Sequence, residues 1–394
     1  MLYKLALLVC LFLLTRLMLV LALYLFFHGR EPASDMETYY LIGANPLIHY
    51  LGQSIIPPYP PLQGFLLWPV VQISSGLPNF GFWLRICSTI AELAIYVVVI
   101  LTLPHNAKNF YRVLALTLLP LPVLSFTIWG QEEILSFVFI YFGILAWQRR
   151  SYTCAITILS LAVTAGKIFI LPLLGLCLLD VLRRARYYDV FIGVGLLICG
   201  YLGRIIGGAS GFEGAMPLND YGNTLWSTPI VQKYVALKTQ YSVSIVLCTL
   251  WACICIAYWF FFRLFESIGE MYALIFMGLF MLFYFANPEY FTLAYAALLA
   301  VYTFGHLSYK HLVYFGLLLS CTWIHNIAYM LFVSKKYFHA PSILIYPYGT
   351  LLIANLVLLG GIILAFRILY SNNNYVYRES SCLLRKNPEP ASKY

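Results

Sequence analysis

The segment from Leu5 to Phe27 reads LALLVCLFLLTRLMLVLALYLFF and contains one charged residue, Arg16. A helix needs roughly 20 consecutive apolar residues to cross the hydrocarbon core of a bilayer, and this run is long enough to do so. No small-residue cleavage site follows it, so a signal peptide is not indicated. We therefore expect the run to be a retained first transmembrane helix.

The whole chain has the same apolar character. Of its 394 residues, 62% are hydrophobic and 10% are charged, with a mean hydropathy of +0.83, whereas soluble domains have about 25% charged residues. Only helices and closed barrels satisfy their backbone groups in hydrocarbon, and the runs here last about 16–26 residues instead of the roughly 10 of a barrel strand. The predicted fold class is an all-α polytopic membrane protein.

The apolar runs predict about twelve transmembrane helices. They lie at residues 3–27, 80–103, 112–129, 133–148, 151–168, 169–182, 188–206, 241–262, 270–286, 289–305, 311–332 and 343–369. Residues 1–370 are then one transmembrane domain, and residues 371–394 form a polar cytoplasmic tail.

The segment 57–76 is also apolar, but prolines open it and Pro69 interrupts it. If it does not cross, Lys4 and the basic clusters at 149–150 and 183–186 share one side, as the positive-inside rule expects of the cytoplasm. If it crosses, that asymmetry largely disappears. We therefore expect a re-entrant or interfacial helix, with segments 28–79 and 207–240 on the outer face.

Composition disfavours nucleic-acid binding and any site built from cysteines. The net charge of +9 could suit nucleic acid, but the basic residues sit in short loops between apolar runs, where membrane topology explains them. The ten cysteines lie inside apolar runs or in the tail, without CxxC spacing. Neither nucleic-acid binding nor a disulfide framework or zinc site is expected.

Two carboxylates, Asp35 and Glu37, follow the first helix in a stretch that predicts a short amphipathic helix on the outer surface. A carboxylate there can act as general base toward a hydroxyl, and a second one can orient the first or hold a divalent ion such as Mg²⁺ or Mn²⁺. The alternative is that both are solvated loop acids.

Charged residues within the apolar runs are few, and three cations, Arg85, Lys167 and Arg204, lie near the outer ends of their helices. Intramembrane charge is costly, so it marks a functional site or a structural pair. Three cations at one interface would suit a lipid-phosphate headgroup, whereas snorkelling is the alternative. We expect the deeper Arg16 and Glu92 to form a structural pair.

Polar turns on the same face supply candidate sugar or acceptor ligands, although each of these residues can equally be structural. They are Tyr59, Trp129, Gln131, Glu132, Asn287, Glu289, Tyr290 and His325. Trp129 can stack on a sugar ring or serve as an interfacial anchor. The loop 207–240 has a polar and aromatic mixture that suits an acceptor but is specific to none.

Four of these places, taken together and in order, resemble the GT-C superfamily of glycosyltransferases, which use polyprenyl- or dolichyl-phosphate sugars. Asp35-Met36-Glu37 is similar to the acidic DxD-like motif, with Glu37 in place of the second Asp. The segment Tyr59–Pro69 resembles the YPPL or YTPL segment of the polyprenol-phosphate-mannose-dependent mannosyltransferases, including the GPI mannosyltransferase I family. Trp129-Gly130-Gln131 through Lys167 resembles the WGQ turn and the lysine-terminated helix. Residues 287–291 resemble a later (P/Q)(E/Q)YF element.

The resemblance implies a GT-C-like bundle that transfers a sugar at its outer face in one inverting displacement. Asp35 would be the base and Glu37 would assist it or bind a divalent ion. Lys167, with Arg85 and Arg204 as lesser candidates, would stabilise the departing lipid phosphate.

The donor is thus expected to be a polyprenyl-phosphate hexose or pentose, with mannose favoured, and the acceptor a glycolipid, polysaccharide or other glycan. A bacterial inner membrane with a periplasmic site is favoured over an ER membrane with a lumenal one. Two other functions stay open. A transporter or flippase would place its charges near the bilayer centre, and a polysaccharide polymerase or ligase would rely on arginines in a large outer loop.

Overall fold

A computed structural model describes residues 2–26, 35–53, 59–128, 130, 132–207, 237–262, 267–282, 290–305 and 307–320. Within these residues the chain forms helices and turns and no strand, so the all-α class predicted from the sequence is confirmed. The loop 208–236 and the tail 371–394 lie outside the described residues.

The helices are α1 (Leu2–Phe26), α2 (Asp35–Ala44), α3 (Pro46–Tyr50), α4 (Gln63–Ser74), α5 (Leu77–Thr102), α6 (Ala107–Thr117), α7 (Pro120–Pro122), α8 (Glu133–Gln148), α9 (Tyr152–Ala165), α10 (Leu171–Arg183), α11 (Tyr187–Ile206), α12 (Leu237–Phe262), α13 (Ile268–Leu282), α14 (Phe291–Thr303) and α15 (309–320). A π-helical segment, Val123–Ile128, follows α7, and a 3-10 turn, Ile168–Ile170, precedes α10. Proline stands within the first two positions of α3, α5, α7 and α10, where its missing N–H costs no hydrogen bond.

Several of these helices are long and apolar enough to cross a membrane. Among the described residues there are four such segments, Leu2–Phe26, Leu77–Thr102, Ala107–Ile128 and Tyr187–Ile206. Helices α8, α9 and α14 and residues Ser242–Ala257 of α12 are shorter apolar helices. The chain therefore fits a membrane protein, while the number of about twelve crossings stays a prediction.

Helix α14 lies at the centre of the bundle, since every side chain from Phe291 to Thr303 is buried. It packs against α8 and α13, and the hydroxyls of Tyr141 and Thr303 lie 3.2 Å apart. A helix that is apolar on all sides is typical of such a central position. Because lipid tails are as apolar as leucine, close packing supplies much of the cohesion between helices here.

Helices α1, α5 and α6 are tied together by one buried ion pair. Arg16 donates to both oxygens of Glu92, at 2.8 and 3.3 Å, and also to the carbonyl of Thr117 at 2.5 Å. Arg16 is 1% exposed and Glu92 is fully buried. The structural pair predicted from the sequence is confirmed.

The basic turns lie together at one end of the bundle, which we call the basic end. The guanidinium groups of Arg184 and Arg186, before α11, lie 5.2 and 5.1 Å from the ring of Tyr152, which begins α9. This confirms that the turns at 149–150 and 183–186 share one end. Helix α9 runs from there toward Lys167, and α11 runs from there toward Arg204, so both cations lie at the opposite end.

Short helices α2, α3 and α4 form a layer at that opposite end. Helix α2 turns Met36, Tyr39 and Ile42 inward and packs them against α4. The helix expected after α1 is thus confirmed. Helix α4 has only 12 residues, which correspond to about 18 Å and are too few to span the hydrocarbon core as a helix. The interfacial assignment of 57–76 stays a prediction.

Candidate functional site

Lys167 lies at the centre of the polar cluster. Helix α9 ends at Ala165, so Lys167 follows the helix by two residues instead of ending it. Its Nζ lies 2.5 Å from Oε1 of Glu132 and 3.0 Å from Oε1 of Glu133. The lysine side chain is 11% exposed, and those of Glu132 and Glu133 are 2% and 0% exposed. One ammonium group is therefore held by two buried carboxylates.

Two aromatic rings flank the same ammonium group. Nζ of Lys167 lies 4.9 Å from the ring centre of Tyr59 and 5.3 Å from that of Tyr290. Cation–π contacts of this length stabilise a cation that has lost its water. Tyr59 and Tyr290 come from segments more than 200 residues apart in the chain, yet the structure brings both onto Lys167.

Arg204 is the second cation of the site. Close approach of α11 positions it, because a Cβ at Gly200 would meet Thr164 of α9 and one at Gly203 would meet Tyr50 of α3. Arg204 is 6% exposed, and its Nη2 donates a hydrogen bond to the carbonyl oxygen of Tyr59. The guanidinium thereby fixes the segment that presents the Tyr59 ring to Lys167.

Arg85 is the third cation and lies about two turns inside α5. It is 3% exposed and donates to the carbonyl oxygen of Ile128 at 3.1 Å. Gly130 has a φ of +70°, and a Cβ there would lie 2.7 Å from Cε of Met36 and 3.1 Å from Cζ of Arg85. Glycine therefore lets the turn before α8 pass between α2 and Arg85.

All three cations are buried, so the snorkelling alternative does not describe them. A snorkelling side chain keeps its charged head in water. Lys167, by contrast, contacts carboxylates, and Arg85 and Arg204 donate to carbonyl oxygens. The three charged groups therefore bind partners inside the protein instead of reaching water.

Asp35 begins α2 and is half-buried, while Glu37 is exposed. The charge of Asp35 contributes to the raised pKa of both Tyr39 and Tyr59, so Asp35 lies near the Lys167 cluster. Residues two apart on a helix do not face each other. Asp35 and Glu37 therefore do not fit as joint ligands of one metal ion, and no group of three His, Cys, Asp or Glu side chains suited to a metal occurs among the described residues.

Two tyrosines of the cluster, Tyr39 and Tyr59, are neutral hydrogen-bonding groups. Burial raises the pKa of Tyr39 well above its usual value, and the charge of Glu132 adds to the effect. Burial also raises the pKa of Tyr59, although Lys167 opposes the rise. Both hydroxyls therefore keep their protons at neutral pH.

A second set of polar groups surrounds the segment 59–63. Nε2 of His49 lies 3.0 Å from the carbonyl oxygen of Pro60, which makes Nε2 the donor. Burial lowers the pKa of His49 to about 4, so the ring is neutral. Nδ1 of His49, both amide atoms of Gln63 and Nε of Arg204 are buried without a hydrogen-bond partner among the described residues. Such groups normally bind a polar partner.

Several candidates from the sequence fall outside the described residues. They are Trp129, Gln131, Asn287, Glu289 and His325. The structure adds Glu133, Tyr39, His49 and Gln63 to the cluster, none of which we singled out from the sequence. The doublet Glu132-Glu133 before an apolar helix was the available signal for Glu133, since a buried acid requires a partner.

The cluster thus joins side chains from eight separate parts of the chain at the end of the bundle opposite the basic end. It offers three buried cations, a half-buried carboxylate beside them, two aromatic rings and unpartnered polar groups. Comparisons of the chain with protein-family models, with curated proteins and with solved structures found no match.

Proposed function

We propose that this chain is an integral membrane glycosyltransferase that takes its sugar from a polyprenyl-phosphate carrier. One observation carries the proposal: Asp35, Tyr59, Arg85, Lys167 and Arg204, selected from the sequence for this chemistry, gather in one cluster. Candidates that were unrelated would be scattered along helices of about 25–40 Å. Their location at one end supports interfacial chemistry over a site at the bilayer centre.

The reaction would be a single displacement at the anomeric carbon of the sugar. Asp35 removes the proton of the acceptor hydroxyl as the acceptor oxygen attacks that carbon. The bond between the anomeric carbon and the phosphate oxygen breaks, and the phosphate leaves with the electron pair. One bond forms and one breaks on opposite faces, so the configuration inverts.

The cations would stabilise the phosphate. Developing negative charge on the leaving oxygen is best met by fixed donors in a site that excludes water. Lys167, Arg85 and Arg204 are all buried, so they would act in such an environment. The lipid tail would remain among the apolar helices, and the unpartnered amide of Gln63 would suit sugar hydroxyls.

The finer assignments belong to the same proposal. We infer about twelve crossings, a cytoplasmic basic end and an outer-face site, periplasmic in a bacterial inner membrane. Mannose is the favoured sugar, and a glycolipid or polysaccharide is the favoured acceptor. Glu37 is exposed on α2. We therefore expect it to contact the acceptor instead of binding a metal ion together with Asp35.

The test is release of sugar from defined donors. Purified protein in nanodiscs is incubated with radiolabelled polyprenyl-phosphate mannose, glucose, galactose and arabinose, together with membrane glycolipid as acceptor. We expect label to pass from one donor to the acceptor, with free polyprenyl phosphate as the second product. Absence of release from every donor would contradict the proposal and favour a transporter.

A further inference from the structure

A cavity of about 130 Å³ lies between the start of α1, the end of α5 and the start of α6, away from the Lys167 cluster. Tyr24, near the end of α1, donates a hydrogen bond to Oδ1 of Asn79, at the start of α5, at 3.3 Å. The two helices are therefore antiparallel, and Lys4 lies beside the end of α5. That end is about 25 Å along the helix from Arg85, so the cavity belongs to the basic end.

The lining of this cavity changes from apolar to polar. Leu103, Phe110 and Val113 are buried, whereas His105 and Asn106 are exposed. The deep part is thus apolar and the opening is polar, which suits a ligand that joins a polar headgroup to a hydrocarbon part. The apolar lining consists of Leu5, Ile100, Leu101, Leu103, Phe110 and Val113, and the polar lining includes Lys4, His105, Asn106 and Asn109.

Lys4 supplies the cavity with a cation. Its ammonium group lies 5.9 Å from the ring centre of Phe110 and 6.0 Å from that of Tyr3, within the range of a cation–π contact. Within the part of the chain that the structure describes, this ammonium group makes no hydrogen bond or ion pair. The side chain of Asn109, by contrast, already donates to the carbonyl oxygen of Pro104 at 3.0 Å. The N–H donors of Lys4 are therefore left for a ligand.

The chain segments that form the cavity favour a negatively charged ligand. The sequence has no acidic residue before Glu31 and none between Glu92 and Glu132, and every lining residue falls within these two stretches. The same stretches carry Lys108 and Arg112. An anion at Lys4 therefore meets positive potential without repulsion from a carboxylate of these segments.

The position and the size of the cavity agree with a lipid headgroup. Tyr3 and Tyr111, beside the cavity, are 70% and 64% exposed, and exposed tyrosines are typical of the depth at which headgroups lie. A cavity of roughly 150 Å³ holds benzene, and a phosphate group has fewer heavy atoms than benzene. Leu101 lines the cavity and is partly exposed, so acyl chains could leave past its side chain.

We propose that this cavity binds an anionic phospholipid, such as phosphatidylglycerol, with Lys4 donating to a phosphate oxygen. The glycerol carbons lie against the apolar lining, and the acyl chains lie on the outside of the bundle. Basic pockets between helices on the cytoplasmic side suit anionic headgroups, and we have inferred that the basic end is cytoplasmic. The site is separate from the Lys167 cluster, so the proposal does not depend on sugar transfer.

The experiment is titration of the full chain, in a neutral detergent, with dioctanoyl phosphatidylglycerol, and bound lipid is counted by native mass spectrometry. We expect saturable binding of one lipid per chain. Lys4→Met should weaken this binding about tenfold, because a charge-assisted hydrogen bond is lost. Leu101→Trp should also weaken it, because the larger side chain fills the cavity without a change of charge.

The matched control is Lys108→Met, which removes an exposed lysine of α6 that does not line the cavity. It should bind the lipid as the wild type does. Equal weakening in Lys4→Met and Lys108→Met would show general attraction to the basic end and overturn the inference. Equally tight binding of dioctanoyl phosphatidylcholine, displacement of the lipid by inorganic phosphate at the same concentration, or absence of saturable binding would overturn it as well.

Discussion

The buried pair between Arg16 and Glu92 allows a prediction whose size comes from the contacts. Glu92→Leu removes the two carboxylate acceptors of the Arg16 guanidinium at 2.8 and 3.3 Å. Among the described residues, the Thr117 carbonyl is then the remaining hydrogen-bond acceptor. Arg16 is 1% exposed, so water cannot replace the lost carboxylate. The variant therefore buries a cation without its counterion.

Loss of one partner of a buried pair costs about 3–5 kcal/mol. Replacement of both partners by apolar residues of similar size is often neutral or stabilising. We therefore expect Glu92→Leu alone to be destabilised by about 3–5 kcal/mol, and the double variant Arg16→Met with Glu92→Leu to lie within about 1 kcal/mol of wild type, after loss of the hydrogen bond to Thr117.

Thermal unfolding in detergent measures the difference, with the rise in thiol reactivity as the buried Cys177, Cys248 and Cys255 become exposed as the signal. At about 2–4 °C per kcal/mol, the single variant should melt on the order of 10 °C below wild type, and the double variant within a few degrees of it. If the single variant melts no lower than the double variant, the pair does not stabilise the bundle and the reasoning fails.

Three further predictions concern the polar end. Lys167→Met should raise the donor concentration for half-maximal sugar release at least about tenfold, because charge-assisted hydrogen bonds are lost. Lys108→Met, at an exposed position, should leave that concentration unchanged. Equal half-maximal concentrations for the two variants would contradict this prediction. The pKa of His49 is lowered to about 4, so the unfolded chain binds a proton first and stability falls as pH drops from 6.5 to 4. The melting temperature of His49→Gln should fall less than that of the wild type between pH 6.5 and 4. An equal fall in both proteins would refute the assignment. Gly64→Ala places a Cβ 2.8 Å from the carbonyl oxygen of Ile42. It should lower the free energy of unfolding by about 1–3 kcal/mol. An unchanged midpoint in the same melting assay would contradict this prediction.

The fold class could be predicted because hydrophobicity is a property of each segment alone. The run from Leu5 to Phe27 needed no partner to be recognised as a helix, and α1 covers Leu2–Phe26. Charge asymmetry likewise predicted that the turns at 149–150 and 183–186 share an end. Helix ends were less accurate, since α9 stops at Ala165, before the lysine that the sequence placed within it.

The site could be predicted only in its outline. Charge in an apolar run identified Arg85, Lys167 and Arg204 because such charge is costly wherever the chain folds. Their partners were not predictable from spacing, since Glu133 reaches Lys167 and Arg204 reaches Tyr59 only after helices pack. The shared metal role expected for Asp35 and Glu37 depended on the two side chains facing one ion, whereas residues two apart on α2 face different directions.

The proposed function is tested most directly by the rate of sugar transfer in Asp35→Asn, measured beside Glu37→Gln with the donor that the wild type uses. Both variants remove one carboxylate from α2 and keep its shape. The proposal predicts that Asp35→Asn remains folded but loses transfer by about 100-fold or more, as loss of a general base does, while Glu37→Gln retains most of it. Equal, near wild-type rates in both variants would remove Asp35 from the mechanism and contradict the assignment of this cluster as the catalytic site.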